Sequence, residues 1–500
     1  MAIQASEYQV FKIYDKNYKR SIDITATGFS VTNFYYYENI LSPYITGVAV
    51  IVSTGDVMVS KDDVQQRVGS LYSSLPLEAG CALLVRVKTK LGPGIDFDQE
   101  PEQNNGYNCF YIDEVQVLER DSSKEVIQIR FNSKFKIANA TSTVKGAFKG
   151  TISESVKAIL TQSGKRGMNV PESIIQIDET DEPYSFNGMQ EKPFIVIGML
   201  ARQSVSSTKT GQANPGYFFY ESQSGFKYKA ISSLVVTRPI ANYHYDGMAA
   251  SSYEEGGDIN DYKIAYFSVL KDQQLVKQIE SGVYASKNIF FNPKGYNFTE
   301  IDISVDTGDL IEAENYTPLG KKGDSTPEVV MRGLKDGKEY HRIQSTVLAI
   351  EPLEDGSLPD VNNSPEMYYA AASTRYNILF SQSYSVTVPC NTALEVGNTV
   401  KLFIDNVSYC TKVEGGDARL DGTYIIKSLC HYFDGEHSVT SMEVIRDSYG
   451  LVFNTEDADP ADALLSNWME RDFSGGTNQK NQETIRNTST DRYRIDPGSI

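Results

Sequence analysis

The chain is poor in the residues from which most active sites are built. It has four histidines, and none of His244, His341, His431 or His437 has the His-x-x-x-His or His-Glu-x-x-His spacing that sets two imidazoles around a metal. No Gly-x-x-x-x-Gly-Lys loop offers amides to a phosphate, and no Gly-x-Ser-x-Gly elbow presents a nucleophile. The five cysteines, Cys81, Cys109, Cys390, Cys410 and Cys430, are too scattered for a CxxC pair. Each sits in an apolar or strand-like stretch, so buried, reduced thiols are expected rather than a metal site. No run approaches the ~20 apolar residues of a spanning helix, which argues against stable membrane insertion. The start MAIQASEYQV lacks a charged region and an apolar core, so no signal peptide is expected.

Basic residues are in deficit as well. Lys and Arg number 47 against 65 Asp and Glu, a net charge of −18. Ordinary nucleic-acid binding needs cations to neutralise phosphates, and this balance argues against it. Acidity keeps a large chain soluble. It would also suit a channel that lets DNA pass without holding it.

What the chain does have is tyrosine, 32 of them, with Thr-rich and Val-rich stretches that fill a pleated, half-buried surface. A length of 500 residues suggests several domains. The expected class is mainly β with minor α. Residues 1–135 read as all-β: Tyr8 to Tyr14 alternates, as do Ile22 to Phe34, Ile45 to Val52 and Ala82 to Thr89, with a hairpin from Tyr107 to Ser133. Gly92 to Gly106 reads as a surface loop.

A helical layer follows. Thr151 and Glu154 have the spacing of a capping box, and Ile152, Val156, Ile159 and Leu160 fall on one face. A second helix is expected from Pro193, with Phe194, Ile197, Leu200 and Ala201 inward. Tyr217 to Tyr228 reads as a tight hairpin turning at Gly225. A helix over Gln274 to Glu280, offering Leu275, Val276 and Ile279, stops at Gly282. Strands are expected at Tyr376 to Phe380, Tyr384 to Val388 and Thr399 to Ile404. They lead to a closing hairpin: Thr423 to Tyr432, the turn Asp434-Gly435-Glu436, and Ser438 to Ile445. Pro460 to Phe473 could form an amphipathic helix, and Ser474 to Ile500 is almost devoid of apolar residues.

Six clusters can be weighed as chemistry. Asp178, Glu179, Asp181 and Glu182, and likewise Glu254, Glu255 and Asp258, could supply paired carboxylates, but each group adjoins turn residues and the solvated-loop reading is favoured. Asp417 and Asp421 hint at calcium without an EF-hand pattern. His431 and His437 flank the closing turn and could face each other across strands, where a structural role is preferred to ligation. Lys145, Lys149, Lys157, Lys165 and Arg166 gather near the first helix and read as a solvated face, or else as a contact for an acidic neighbouring subunit. The aromatic run Phe34 to Tyr37 has no interleaved cation, which favours packing over base stacking. No catalytic, cofactor-binding or metal-binding residue is expected.

Four segments resemble, in order, the baseplate central hub proteins of contractile-tailed (T-even-like and Mu-like) bacteriophages. They are Ile40 to Gly47, similar to an "SPY-x-TG" strand; Phe131-Asn132-Ser133-Lys134 with Lys149 to Ser153; Tyr217 to Ser222 with Gly225 to Tyr228, similar to an "FYE-x-x-x-GF" hairpin; and the closing hairpin through Arg446-Asp447-Ser448. Together they cover roughly residues 1 to 450. The resemblance implies a non-enzymatic virion protein of the tail baseplate, assembled in the host cytoplasm. It implies a homotrimer that presents tail-tube-like barrels as a pseudo-sixfold ring, meets the tail tube protein on one side and the spike protein on the other, touches other baseplate proteins, and passes DNA without specific binding. Mapped onto this chain, residues 1–135 would be the first tube-like barrel, 250–370 the second, and 136–249 with 371–450 a discontinuous intervening α+β domain, followed by a C-terminal extension over 451–500. No sequence repeat links the two barrel blocks. The rivals are a spike or hub protein of a secretion or injection system, a tail-borne carbohydrate-active enzyme, and a receptor-binding adhesin.

Overall fold

The alternating stretches at the start of the chain form strands in the computed structural model of the protein. The structure describes residues 6–25, 28–54, 57–61, 64–68, 71–75, 77–164, 167–181, 183–188, 190–206, 214–245, 259–271, 274–282, 285–292, 296–304, 342–347, 365–404 and 420–447. The expected helix over 460–473 and the segments 474–500, 254–258 and 405–419 lie outside these residues.

The first block contains β1 (Glu7–Tyr14), β2 (Arg20–Asp23), β3 (Phe29–Asn39), β4 (Thr46–Ser53), β5 (Val57–Lys61), β6 (Val64–Val68), a short helix α1 (Leu71–Ser74), β7 (Ala82–Lys88), β8 (Ile95–Phe97), β9 (Phe110–Arg120) and β10 (Glu125–Ser133). The stretch expected to alternate from Ile22 to Phe34 is two strands, because Asp23 accepts the Thr25 amide and turns the chain before β3 begins. Along β4 burial alternates strictly, with Gly47, Ala49, Ile51 and Ser53 on the buried face. Along β3 the same period puts Phe34, Tyr36 and Glu38 inward, so alternation itself carries a carboxyl into the core.

The middle of the chain supplies α2 (Lys134–Thr141), β11 (Ala147–Phe148), α3 (Ile152–Thr161), β12 (Ile175–Ile177), β13 (Phe186–Asn187), α4 (Pro193–Ala201), β14 (Val205–Ser206), β15 (Asn214–Pro215), β16 (Tyr217–Ser222), β17 (Gly225–Ala230), α5 (Ile231–Val236) and β18 (Ala241–Tyr245). The capping box at α3 forms as expected: Thr151 Oγ1 accepts the Glu154 amide and Glu154 Oε2 accepts the Thr151 amide. Helix α4 starts on Pro193 and buries Phe194, Ile197, Leu200 and Ala201. Gly225 opens β17 at φ 113°, and a Cβ there would lie 2.2 Å from the Ile174 carbonyl oxygen, so the tight turn requires glycine.

Next come β19 (Tyr266–Lys271), α6 (Leu275–Ser281), β20 (Ala285–Asn292), β21 (Asn297–Ser304) and β22 (Arg342–Val347). Helix α6 stops at Gly282, which has φ 77°, but Val276 is exposed rather than inward. The last described stretch is α7 (Pro365–Leu379), β23 (Gln382–Pro389), β24 (Thr399–Ile404), β25 (Gly422–Phe433) and β26 (Ser438–Arg446). The expected strand at Tyr376 to Phe380 is instead the end of α7. Pro365 is pre-organised for a first helical turn, and the alanines at 370–372 favour propagation. Ala372, Arg375 and Leu379 are buried at helical spacing, which a short alternating window had hidden.

Sixteen of the described strands join one large sheet in the order β19-β23-β26-β25-β3-β4-β10-β9-β7-β1-β2-β5-β6, with β24 on β25, β18 on β24 and β8 on β7, while β12-β17-β16 and β21-β20-β22 form separate three-stranded sheets. The closing hairpin therefore continues the first block directly. β25 pairs antiparallel with β3, His431 opposite Tyr36 and Cys430 opposite Tyr37. β18 pairs parallel with β24, Ala241 opposite Val400, and links the middle of the chain to its end. The fold class is mainly β with minor α, as the composition leads one to expect.

Two cores result. One is enclosed by the large sheet and includes Phe11, Phe34, Tyr36, Phe131, Val386 and Ile445. The other lies under the helices and includes Phe135, Val156, Ile159, Ile197 and Tyr228. Strand β16, Tyr-Phe-Phe-Tyr-Glu-Ser, is buried along its whole length. Phe218 and Tyr220 belong to the first core, Tyr217 and Phe219 to the second. Period-2 geometry thus makes β16 the wall between them. Among the described residues no helix is long and apolar enough to cross a membrane.

Candidate functional site

The segments singled out by sequence meet at the tip of the β16–β17 hairpin. Glu221 Oε2 accepts the Ile45 amide at 3.0 Å and lies 2.5 Å from Ser133 Oγ. Ile45 belongs to the SPY-x-TG-like segment and Ser133 closes β10 in the Phe131 to Lys134 segment. Next along the chain, the Gln223 amide donates to Glu38 Oε1 at 2.6 Å. The other oxygen of Glu38 accepts the Val396 amide at 3.0 Å, and Tyr36 Oη stands 2.7 Å from Oε1. His431 of the closing hairpin stacks on Tyr36, ring centres 5.9 Å apart, and its Nδ1 lies 2.9 Å from Thr440 Oγ1.

Opposite the hairpin, in the segment between β23 and β24, Glu395 Oε2 accepts Lys227 Nζ at 2.5 Å, Ser222 Oγ at 2.9 Å and Ser224 Oγ at 2.7 Å. Three distant pieces of chain are therefore held together by three carboxyls: Glu38, Glu221 and Glu395. Such buried polar networks cost little when every group is paired and much when one partner is lost.

The electrostatics follow from burial. Glu38 and Glu221 are only 2% and 5% exposed. Burial, with the charge of Glu395 nearby, pushes the Glu38 carboxyl up to about 7 against the pull of its three donors. Burial likewise pushes Glu221 up to about 8, opposed by Ser133 and the Ile45 amide. For Glu395 burial also acts upward, but Lys227 and the two serine hydroxyls outweigh it and the carboxyl lies below its ordinary value. Burial pushes His431 down to about 4, so the ring is neutral at physiological pH. None of Glu38, Glu221, Glu395 or Lys227 stands in a sequence motif with known chemistry. The inward parity of Phe34 and Tyr36 was the available signal for Glu38.

The other weighed residues have structural partners. Asp178 binds the Lys229 ammonium at 2.7 Å and the Ala230 amide at 3.0 Å, fixing the start of α5 rather than lying in a solvated loop. Asp421 Oδ1 accepts the Ile404 amide at 2.6 Å. Lys157 pairs with Glu172 at 3.1 Å on an exposed face. His431 and His437 do not face each other: Thr440 is the residue opposite His431, and His437 pairs with Asp434 in the turn. The reason is turn length, which leaves His437 outside the ladder. Cys81, Cys109 and Cys390 are buried and unbonded to one another, Cys430 is half-buried, and Cys410 lies outside the described residues. Among the described residues no group of three or more His, Cys, Asp or Glu could hold a metal ion.

A cavity of about 490 Å³ opens beside the β3–β4 connection, lined among others by Ile40, Leu41, Phe194, Tyr217, Tyr376 and Phe380. Two of its lining hydroxyls are committed. Tyr217 Oη donates to the Glu179 carbonyl at 2.8 Å, and Tyr376 Oη bonds the backbone of Tyr217.

No protein-family model matches the chain, and no curated protein matches it. Among solved structures it is similar to a 43 kDa tail protein of prophage MuSo2 from Shewanella oneidensis, at 10% identity and a TM-score of 0.47, over 89% of this chain and 98% of that one. It is similar to a tail protein from Neisseria meningitidis MC58 at 8% identity and a TM-score of 0.47, over 89% and 97%. A third is the E. coli c3393 protein, described as a type VI secretion component with structural similarity to the T4 tail proteins gp27 and gp5. It matches at 7% identity and a TM-score of 0.39, over 90% of this chain and 78% of that one. These scores are too low for the likeness to support a function.

Proposed function

We propose that this chain is a structural hub of a phage tail baseplate, a homotrimer whose tube-like domains form a pseudo-sixfold ring between the sixfold tail tube and the threefold spike. The observation that carries the reading is convergence. The four segments that resemble hub proteins lie far apart in sequence, yet Glu221 ties the hairpin to Ile45 and Ser133, and the Ile40 amide donates to the Lys427 carbonyl of the closing hairpin at 2.8 Å. Motifs matched by chance have no reason to meet.

In this reading residues 1–135 and 250–370 are the tube-like blocks, and 136–249 with 371–450 form the intervening domain. The β18–β24 pairing and the Lys227–Glu395 ion pair support joining those last two segments. The net charge of −18 supports a channel that repels phosphates and lets DNA slide through. Assembly would take place in the host cytoplasm.

The function is mechanical rather than catalytic. A glycosidase needs two carboxyls open to substrate and water. Here the carboxyls with the strongest shifts are sealed and hydrogen-bonded to backbone amides of neighbouring segments. The second reading, a hub of a contractile injection or secretion system, shares the same geometry. Affinity labelling of this chain in tailed particles, imaged by electron microscopy, tests the proposal. Label on the tail axis at the baseplate is expected. Label confined to peripheral fibres, or polysaccharide turnover abolished by one carboxylate change, would overturn it.

A further inference from the structure

The seam between the β16–β17 hairpin, β3 and the segment between β23 and β24 contains, among the described residues, the three carboxyls of Glu38, Glu221 and Glu395 and the cation of Lys227. Lys227 is committed to Glu395, while Glu38 and Glu221 have no ion-pair partner among the described residues. A buried carboxylate without a cation is costly, and such a group takes up a proton instead.

Both carboxyls are placed to accept that proton. Glu38 Oε1 lies 2.7 Å from Tyr36 Oη, and Glu221 Oε2 lies 2.5 Å from Ser133 Oγ. A hydroxyl can donate or accept. Each can therefore turn its own hydrogen away and accept one from a neutral acid, while the Gln223, Val396 and Ile45 amides go on donating. Neutral and ionised forms therefore both keep a carboxyl–hydroxyl hydrogen bond, and the neutral form buries no charge.

The groups that face Glu38 are Tyr36 from its own strand, Glu395 from the segment between β23 and β24, and Tyr220 and Glu221 from the hairpin, while Lys227 of the hairpin is held by Glu395. His431 from β25 stacks on Tyr36 and is neutral. Burial holds Tyr36 and Tyr220 as neutral phenols. With all three carboxyls ionised, negative charge would exceed the one lysine by two.

We infer that Glu38 and Glu221 are a proton-linked latch: as neutral acids they keep the β16–β17 hairpin docked on β3, β4 and β10, and ionisation of both loosens the dock. The latch is a property of the isolated chain and stands or falls independently of the hub reading.

Infrared spectroscopy and hydrogen exchange on the full-length chain, from about pH 6 to about pH 9, test it. The neutral-acid carbonyl band should be present at the lower pH, fade at the higher, and weaken in Glu38→Gln and in Glu221→Gln. Exchange of amides in residues 217–230, corrected for base catalysis, should rise by up to about tenfold per pH unit for each proton lost, and not in the double variant. A missing neutral-acid band in the wild-type chain, or the same rise in the double variant, would overturn the inference. If the double variant fails to fold, the wild-type band and exchange profile still decide.

Discussion

Ser133 Oγ and Glu221 Oε2 lie 2.5 Å apart across 88 residues of chain. The same carboxyl oxygen takes the Ile45 amide at 3.0 Å. One side chain of the hairpin thus fixes the end of β10 and the start of β4 together. Glu221→Ala leaves a buried amide and a buried hydroxyl unpaired, and should cost about 2 to 4 kcal/mol. Glu221→Gln keeps an acceptor and should cost less. Urea midpoints at a weakly acid pH check both.

The stability contributed by these three carboxyls should peak near the ordinary carboxylate pKa of 4.5. Glu395 has a folded pKa below its ordinary 4.5, so its contribution is present above 4.5 and is lost as pH falls through the folded value. Glu38 and Glu221 act in the opposite sense. Their folded values are raised, so their contribution is complete below 4.5 and is lost as pH rises through about 7 and about 8. For Glu38 alone the rise from 4.5 to about 7 corresponds to about 3 kcal/mol. Above 4.5 the unfolded chain has released protons that folded Glu38 and Glu221 still hold, so denaturant midpoints should peak at about pH 4 to 4.5 and decline from there to about pH 8.

Lys227 supplies the cation of the seam. Lys227→Met strands the Glu395 carboxylate, and should destabilise by about 3 kcal/mol and flatten the acid limb of that profile. A variant with full stability and an unchanged acid limb would show that the pair contributes nothing.

The buried thiols should be inert. Burial pushes Cys109 up to about 11 and Cys390 up to about 12, so little thiolate forms at neutral pH. Peptide mapping after brief alkylation should find both unlabelled in the native chain and labelled after unfolding.

The local signals were legible. The turn chemistry of Asp434-Gly435 marks β25 and β26, the Thr151–Glu154 box marks α3, and Pro193 marks α4. The site was not, because its contacts are distant in sequence: Gln223 reaches Glu38 across 185 residues and Val396 reaches it across 358. Nothing local distinguishes Glu38 from a surface carboxylate at a strand end, except the inward row of Phe34 and Tyr36 before it. The partnership of β25 with β3 is invisible for the same reason. Tyr376 to Phe380 misled because five residues are too few to separate a strand period from a helical one.

In the proposed hub this chain encircles a tail axis. A cryo-electron reconstruction of the tail tip of particles containing it, computed without imposed symmetry, tests that most directly. The account predicts three copies closed into a ring, residues 1–135 and 250–370 alternating around the channel with acidic side chains facing the lumen. A single peripheral copy, or a ring in which those two blocks do not alternate, would contradict it.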